Sequence, residues 1–129
     1  MKPVKELTAQ QIFNKVAMHL AKQGKKAITG DGSCINFTKS ELRCAVGCLV
    51  PRSFYRKPEN RDYRVGGLGS LETILPRFGV PYGTNNPVTT LLTKLVILHD
   101  DIEVDKWKEG LLKIAEDFKL TAPDWLQLC

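Results

Sequence analysis

The sequence lacks a long apolar segment. None of its apolar runs approaches the roughly 20 residues that a membrane-spanning helix needs. The N-terminal residues lead directly into an amphipathic helical pattern, which is not how a signal peptide is built. We therefore expect no membrane association and a cytoplasmic location. The length of 129 residues predicts a single domain spanning residues 1–129, with a core that needs neither metal nor disulfides.

The sequence also lacks a recognised catalytic or metal-binding signature. The glycine-rich stretch at residues 66–69 has neither the spacing nor the lysine of a phosphate-binding Walker loop. The four cysteines do not form the close pairs that are typical of zinc sites. Since nothing else indicates secretion, we expect reduced thiols. No cofactor is predicted.

Charge is present but unevenly distributed. The net charge is +5. Residues 1–65 contain 13 Lys or Arg against 5 Asp or Glu, whereas residues 66–129 contain 6 against 9. The basic half indicates an anionic partner, such as a nucleotide, a nucleic acid or an acidic protein surface. Such a charge also favours solubility alone.

The spacing of apolar residues predicts a mainly α fold of four or five helices. The first helix begins at a capping box, Thr8 to Gln11, and ends at Gly24. A second box, Thr38 to Glu41, predicts a helix over 39–49 that Pro51 ends. The segments between and after these helices complete the prediction: a small β-hairpin over 26–37, an exposed loop over 51–70, a broken helix over 70–78, and a C-terminal antiparallel helical hairpin that starts after Asn86.

The predicted loop alternates cations with aromatic rings. Guanidinium groups bind phosphate in a bidentate manner, and aromatic faces can stack on bases. A solvated surface loop has the same composition. The residues predicted to contact a ligand are Arg52, Tyr55, Arg56, Lys57, Arg61 and Arg64.

The thiols support two alternative hypotheses. Cys34, Cys44 and Cys48 could contribute to a zinc site, although free cysteines are more often buried core residues. Cys34 or Cys44 could act as a nucleophile, with His99 as the base and Asp100 orienting it, if the fold brings them together. The position of His99 alone favours a residue that stabilises a helix C-terminus over a catalytic base.

The first helix is followed by Asp31-Gly32-Ser33-Cys34, then by the segment LRCAVGCLVP at residues 42–51, and then by Tyr55. In this order the chain resembles a family of small uncharacterised proteins encoded by tailed bacteriophages and prophages. The resemblance extends weakly to His99-Asp100-Asp101 and Trp107, so it spans most of the chain. In that family acidic residues tend to follow the proline, whereas Arg52 and Ser53 follow it here. The resemblance implies a bacterial host cytoplasm and brings no catalytic residues.

The resemblance and the charge pattern together predict a non-enzymatic accessory protein. Small phage proteins of this size commonly act in host takeover or against host defence, by binding a host protein or a signalling nucleotide. We therefore predict an anionic small molecule or a host protein as the partner, with nucleic acid and self-association left open. Two alternatives stand beside this: a cysteine-dependent enzyme acting on a nucleotide or protein, and a structural or oligomerisation module.

Overall fold

A computed structural model describes residues 5–30, 34–83 and 86–128 of the chain. These residues are mainly helical. The α-helices are α1 (Ala9–Gln23), α2 (Arg52–Arg56), α3 (Gly67–Leu71), α4 (Pro87–Asp101), α5 (Trp107–Asp117) and α6 (Asp124–Leu128). Short 3₁₀-helices cover Gly47–Leu49, Pro58–Arg64, Leu75–Phe78 and Val104–Lys106. None of the helices in these ranges is both long and apolar enough to cross a membrane.

Helix α1 forms as its capping box predicts. The Thr8 hydroxyl accepts from the backbone N–H of Gln11 at 3.1 Å, and the Gln11 side chain accepts from the N–H of Thr8 at 2.8 Å. The helix ends at Gly24, whose φ of 64° lies in the left-handed region that glycine favours. Its apolar stripe is buried and consists of Ile12, Phe13, Val16, Ala17 and Leu20.

The predicted hairpin over 26–37 is not confirmed. Within the described residues, antiparallel pairing is limited to two isolated bridges, Ile28 with Cys34 and Phe37 with Arg43. The predicted turn at 30–33 falls largely outside the described residues, which omit 31–33.

The helix predicted over 39–49 is wrong. The Thr38 hydroxyl accepts from the N–H of Leu42, not of Glu41, and Glu41 has a left-handed φ of 64°. The backbone N–H of Cys44 donates to the carbonyl of Asn36, in the preceding segment, at 3.4 Å. Since this N–H is used outside the predicted helix, the helical part of this segment is restricted to Gly47–Leu49.

The exposed loop predicted over 51–70 is also wrong. This segment contains α2, the 3₁₀-helix Pro58–Arg64 and α3. A group of aromatic rings holds it to the core: Tyr55 stacks on Phe37 with centroids 4.7 Å apart, and Phe54 contacts the rings of Tyr55, Tyr63 and Phe78. These aromatic contacts supply the burial that short helices need, and they raise the helix count above the predicted four or five.

The first helix of the predicted C-terminal hairpin begins as predicted. Asn86 caps α4 by accepting from the N–H of Val88, and Pro87 takes the first helical position. Helix α4 contacts both α5 and α1. The core lies between these helices and the segment 44–50, which includes Ala45, Val46 and Val50. The broken helix predicted over 70–78 corresponds to the end of α3 and the 3₁₀-helix Leu75–Phe78, which has Pro76 in its first turn.

Candidate anion-binding groove

Tyr55, predicted to face a ligand, is a core residue. Its side chain has no solvent exposure, and its hydroxyl donates to the carbonyl of Gly47 at 2.9 Å. Burial raises the pKa of the Tyr55 phenol above its usual value. The ring therefore cannot stack on a ligand, which corrects the prediction for this residue.

The predicted cations fall into two groups, those with partners within the protein and those that are exposed and unpaired within the described residues. Arg56 donates from Nε to Glu41 at 2.8 Å and also from Nη2, so its charge is paired. Arg64 donates from Nε and Nη2 to the carbonyl of Tyr55 at 3.0 and 2.7 Å. The side chains of Arg52, Lys57 and Arg61 are exposed and form no ion pair within the described residues. The predicted strip is therefore not one continuous contact surface.

A groove of about 880 Å³ lies between α1 and the segment 40–52. Its volume falls within the range of small-molecule sites. Four cations line it, together with one carboxylate, that of Glu41, which already pairs with Arg56. The cationic lining residues are Lys15, Lys22, Arg43 and Arg52.

Helix α1 forms one wall of the groove because its lining residues share one face. Lys15, Met18, His19 and Lys22 follow the spacing of three, four and seven residues that places side chains in one stripe. The apolar stripe of the same helix faces the core, so this second stripe is left at the surface. The first and last of the four are cations, separated by about 10 Å along the helix axis.

Arg43 lies at the base of the opposite wall and is only partly satisfied. Its Nη1 donates to the carbonyls of Cys48 and Val50, both at 3.3 Å. Its Nε is buried without a hydrogen-bond partner. Within the described residues, the hydrogen bonds of this guanidinium come from Nη1 alone. Burial first, and then the nearby charge of Arg52, lower the pKa of the Arg43 guanidinium. No carboxylate in the described residues compensates this cation.

The backbone of Arg43 is fixed from α1. The side chain of Gln23 donates to the carbonyl of Arg43 and accepts from its N–H, each at 2.8 Å. His19 bonds to the same carbonyl through Nε2 at 2.8 Å. Since a carbonyl only accepts, Nε2 carries the proton, and Nδ1 is left as an acceptor. Burial, aided by the charges of Arg43 and Arg52, lowers the pKa of His19 to about 4, so the ring is neutral near pH 7.

The Cys44 and Cys48 thiols are structural. Cys44 Sγ bonds to Asn36 Oδ1 at 3.4 Å and accepts from the N–H of Gly47 at 3.2 Å. Cys48 Sγ donates to the carbonyl of Ala45 at 3.1 Å. Burial raises the pKa of each thiol to about 12, which removes the thiolate that a nucleophile or metal ligand needs.

Cys34, His99 and Asp100 do come together, as the nucleophile hypothesis requires. One potential ligand atom from each residue lies within 4.8 Å of those of the other two. In the described part of the chain, neither Cys44 nor Cys48 belongs to a group of this kind. His99 is fully buried, so it is not an exposed residue that stabilises the C-terminus of a helix at the surface.

Hydrogen bonds occupy both nitrogens of His99. The N–H of Ala27 donates to Nε2 at 3.0 Å, which makes Nδ1 the protonated nitrogen that donates to Asp100 at 2.6 Å. A base or a metal ligand needs a free ring nitrogen, and neither nitrogen is free. Burial and then Asp100 raise the pKa of Cys34 to about 11. The cluster ties Ala27 and Cys34 to the end of α4 and holds no activated nucleophile.

Comparisons with known proteins identify no relative. No protein-family model, no curated protein and no solved structure matches the chain. Among the groove cations, sequence reasoning identified only Arg52. The signals that could have identified the others were the seven-residue spacing of Lys15 and Lys22 on the polar face of α1 and the isolated charge of Arg43 within an apolar run.

Proposed function

We propose that this chain is a non-catalytic binding protein that takes an anionic ligand in the groove between α1 and segment 40–52. The observation that carries the proposal is the half-buried Arg43, whose Nε is buried without a partner and which pairs with no carboxylate within the described residues. A buried donor without a partner costs about 1–3 kcal/mol, and more when it is charged. An oxyanion in the groove would neutralise the guanidinium charge that lines it.

Two other arginines of the chain support this reading of Arg43. In Arg56 the Nε and Nη2 edge meets the carboxylate of Glu41, and in Arg64 the same edge meets the carbonyl of Tyr55. In Arg43 the carbonyls bind Nη1 instead, and the Nε–H is buried without a partner. A guanidinium that no carboxylate compensates favours an anion in the groove beside it.

The lining favours a small anion over a single strand of nucleic acid. The groove has no aromatic ring other than the imidazole of His19, whereas single-strand binding uses successive stacking platforms. A host protein with an acidic segment is the other partner that the open groove accommodates. Together with the resemblance to phage proteins, this supports an accessory role, in host takeover or against host defence, in the cytoplasm of an infected bacterium.

The test compares two double variants with the same change in net charge. Lys15→Glu with Arg52→Glu reverses two exposed groove cations, and Lys57→Glu with Arg61→Glu reverses two exposed cations that do not line the groove. Each reversal replaces an attraction by a repulsion of about 1 kcal/mol or more, so the groove variant should lose at least about tenfold in affinity.

The probe is inorganic pyrophosphate, measured by titration calorimetry at low and at physiological salt. We expect binding that weakens with salt, a loss in the groove variant, and affinity within about twofold of wild type in the control variant. If both variants lose affinity equally, or if the wild-type protein does not bind pyrophosphate, the groove is not an anion site.

A further inference from the structure

We propose that the ligand of this groove is a nucleoside di- or triphosphate, with its phosphates at Arg43 and Arg52 and its nucleoside against the Met18 and His19 face of α1. This inference rests on the proposed function and specifies its ligand class. Three properties of the groove support it: the number of uncompensated charges, the room beyond a phosphate group, and the chemistry of the remaining lining.

The charge count indicates a polyanion. Lys15, Lys22, Arg43 and Arg52 line the groove, while Glu41, the one carboxylate of its lining, pairs with Arg56. One carboxylate on a ligand would compensate only one of four cations. A di- or triphosphate carries three or four negative charges and also offers the planar sets of oxygens that guanidinium groups bind.

The position of the phosphates follows from Arg43 and Arg52, the two arginines that line the groove. The charge of Arg52 also contributes to the lowered pKa of Arg43. His19 lies beside Arg43, since its Nε2 bonds to the Arg43 carbonyl at 2.8 Å, and the charges of both arginines contribute to its low pKa. Such a pair of mutually repelling cations is stabilised by an anion placed between them.

The groove has room for more than the phosphates. Its volume of about 880 Å³ far exceeds one pyrophosphate group, and part of its lining is apolar. Met18 is 37% exposed between the two lysines of α1, and Leu42, Leu49 and Pro51 lie on the opposite side. A thioether flanked by aliphatic side chains accommodates a flat heterocycle.

His19 adds a polar feature that suits a nucleobase. Its Nε2–H is used by the carbonyl of Arg43, and Nδ1 forms no hydrogen bond within the described residues. Because the ring is neutral near pH 7, Nδ1 accepts rather than donates. A ligand group with an N–H donor, such as the exocyclic amine of adenine, complements it.

The experiment compares ADP with inorganic pyrophosphate on the wild-type protein and on Met18→Ala. Met18 is exposed and uncharged, so its truncation leaves both the core and the charge of the groove unchanged. We expect ADP to bind at least about tenfold more tightly than pyrophosphate, and Met18→Ala to remove most of that difference without changing pyrophosphate affinity. NMR titration of His19 should show its pKa rising when pyrophosphate is bound, because the phosphate charge stabilises the protonated ring and no base occupies Nδ1.

The two proposals fail in different ways. If pyrophosphate binds but ADP binds no more tightly and Met18→Ala changes neither affinity, the nucleotide inference is overturned and the anion site stands. If neither compound binds, both proposals are wrong. If ADP binds with the expected advantage but pyrophosphate does not raise the pKa of His19, the placement of the phosphates beside Arg43 and Arg52 is wrong.

Discussion

The close approach of Gly47 to Asn36 gives the sharpest stability prediction. A Cβ on Gly47 would overlap the carbonyl oxygen of Asn36 and lie 3.0 Å from its carbonyl carbon. Asn36 cannot retreat freely, since its side-chain amide lies within 3.0 to 3.3 Å of acceptors on four residues and its N–H donates to the carbonyl of Arg64 at 2.8 Å. Gly47→Ala must therefore displace backbone.

The magnitude follows from three contributions. Overpacking costs about 1–3 kcal/mol. Displacing Asn36 also weakens the hydrogen bond that Cys44 donates to it, which costs about 1 kcal/mol. Removing a glycine from the unfolded chain returns about 0.4–1 kcal/mol. We expect Gly47→Ala to lower the free energy of unfolding by about 2 to 3 kcal/mol.

Urea unfolding measures this change, and Gly69→Ala is the matched control. Gly69 lies in α3 with nothing within 4 Å of an added Cβ and without a positive φ, so alanine there should be neutral or stabilising by up to about 1 kcal/mol. With a slope of about 1–3 kcal/mol per molar urea, Gly47→Ala should lower the midpoint by about 1 M or more. A Gly47→Ala protein within about 0.5 kcal/mol of wild type would refute the packing described here.

Three further predictions concern single side chains. Tyr55→Phe should cost about 1–2 kcal/mol in urea unfolding, because the Gly47 carbonyl loses its donor, and should leave pyrophosphate binding unchanged; weaker binding would restore Tyr55 as a ligand contact. The pKa of His19 is lowered to about 4 in the fold, so the unfolded chain binds the proton more readily. The free energy of unfolding should therefore fall by up to about 3 kcal/mol as the pH drops from 6.5 to 4. His19→Gln should reduce this pH dependence, and an equal pH dependence in the variant and the wild type would contradict a buried neutral ring. In a Cys129→Ser background, the thiols of Cys34, Cys44 and Cys48 should react with iodoacetamide at pH 7 at least about a hundredfold more slowly than free cysteine, because their raised pKa values leave little thiolate. One rapidly labelled thiol would favour the enzyme hypothesis.

Local sequence patterns predict helices in this protein only where tertiary contacts agree with them. The two capping boxes are nearly identical in pattern, yet only Thr8 to Gln11 starts a helix. At Thr38 to Glu41 the carboxylate pairs with Arg56 and the backbone turns to a left-handed conformation. These partners are 15 residues apart in sequence, so no short window contains the information.

The cations of the candidate groove are not the ones that the sequence pattern singles out. Charge asymmetry indicated an anionic partner, and the arginines of 52–64 were the visible cluster. The fold pairs Arg56, satisfies Arg64 internally, and instead brings Lys15 and Lys22 of α1 to Arg43. Which cations keep an unused charge depends on long-range contacts, which composition does not record.

The most direct test of the anion site is the position of a bound oxyanion. Crystals of the protein soaked in sodium tungstate, a tetrahedral analogue of phosphate, would locate it by anomalous scattering. We predict a tungstate ion in the groove, with an oxygen within hydrogen-bond distance of Arg43 Nη2. Tungstate found only at cations outside the groove, such as Lys57 and Arg61, would contradict the account.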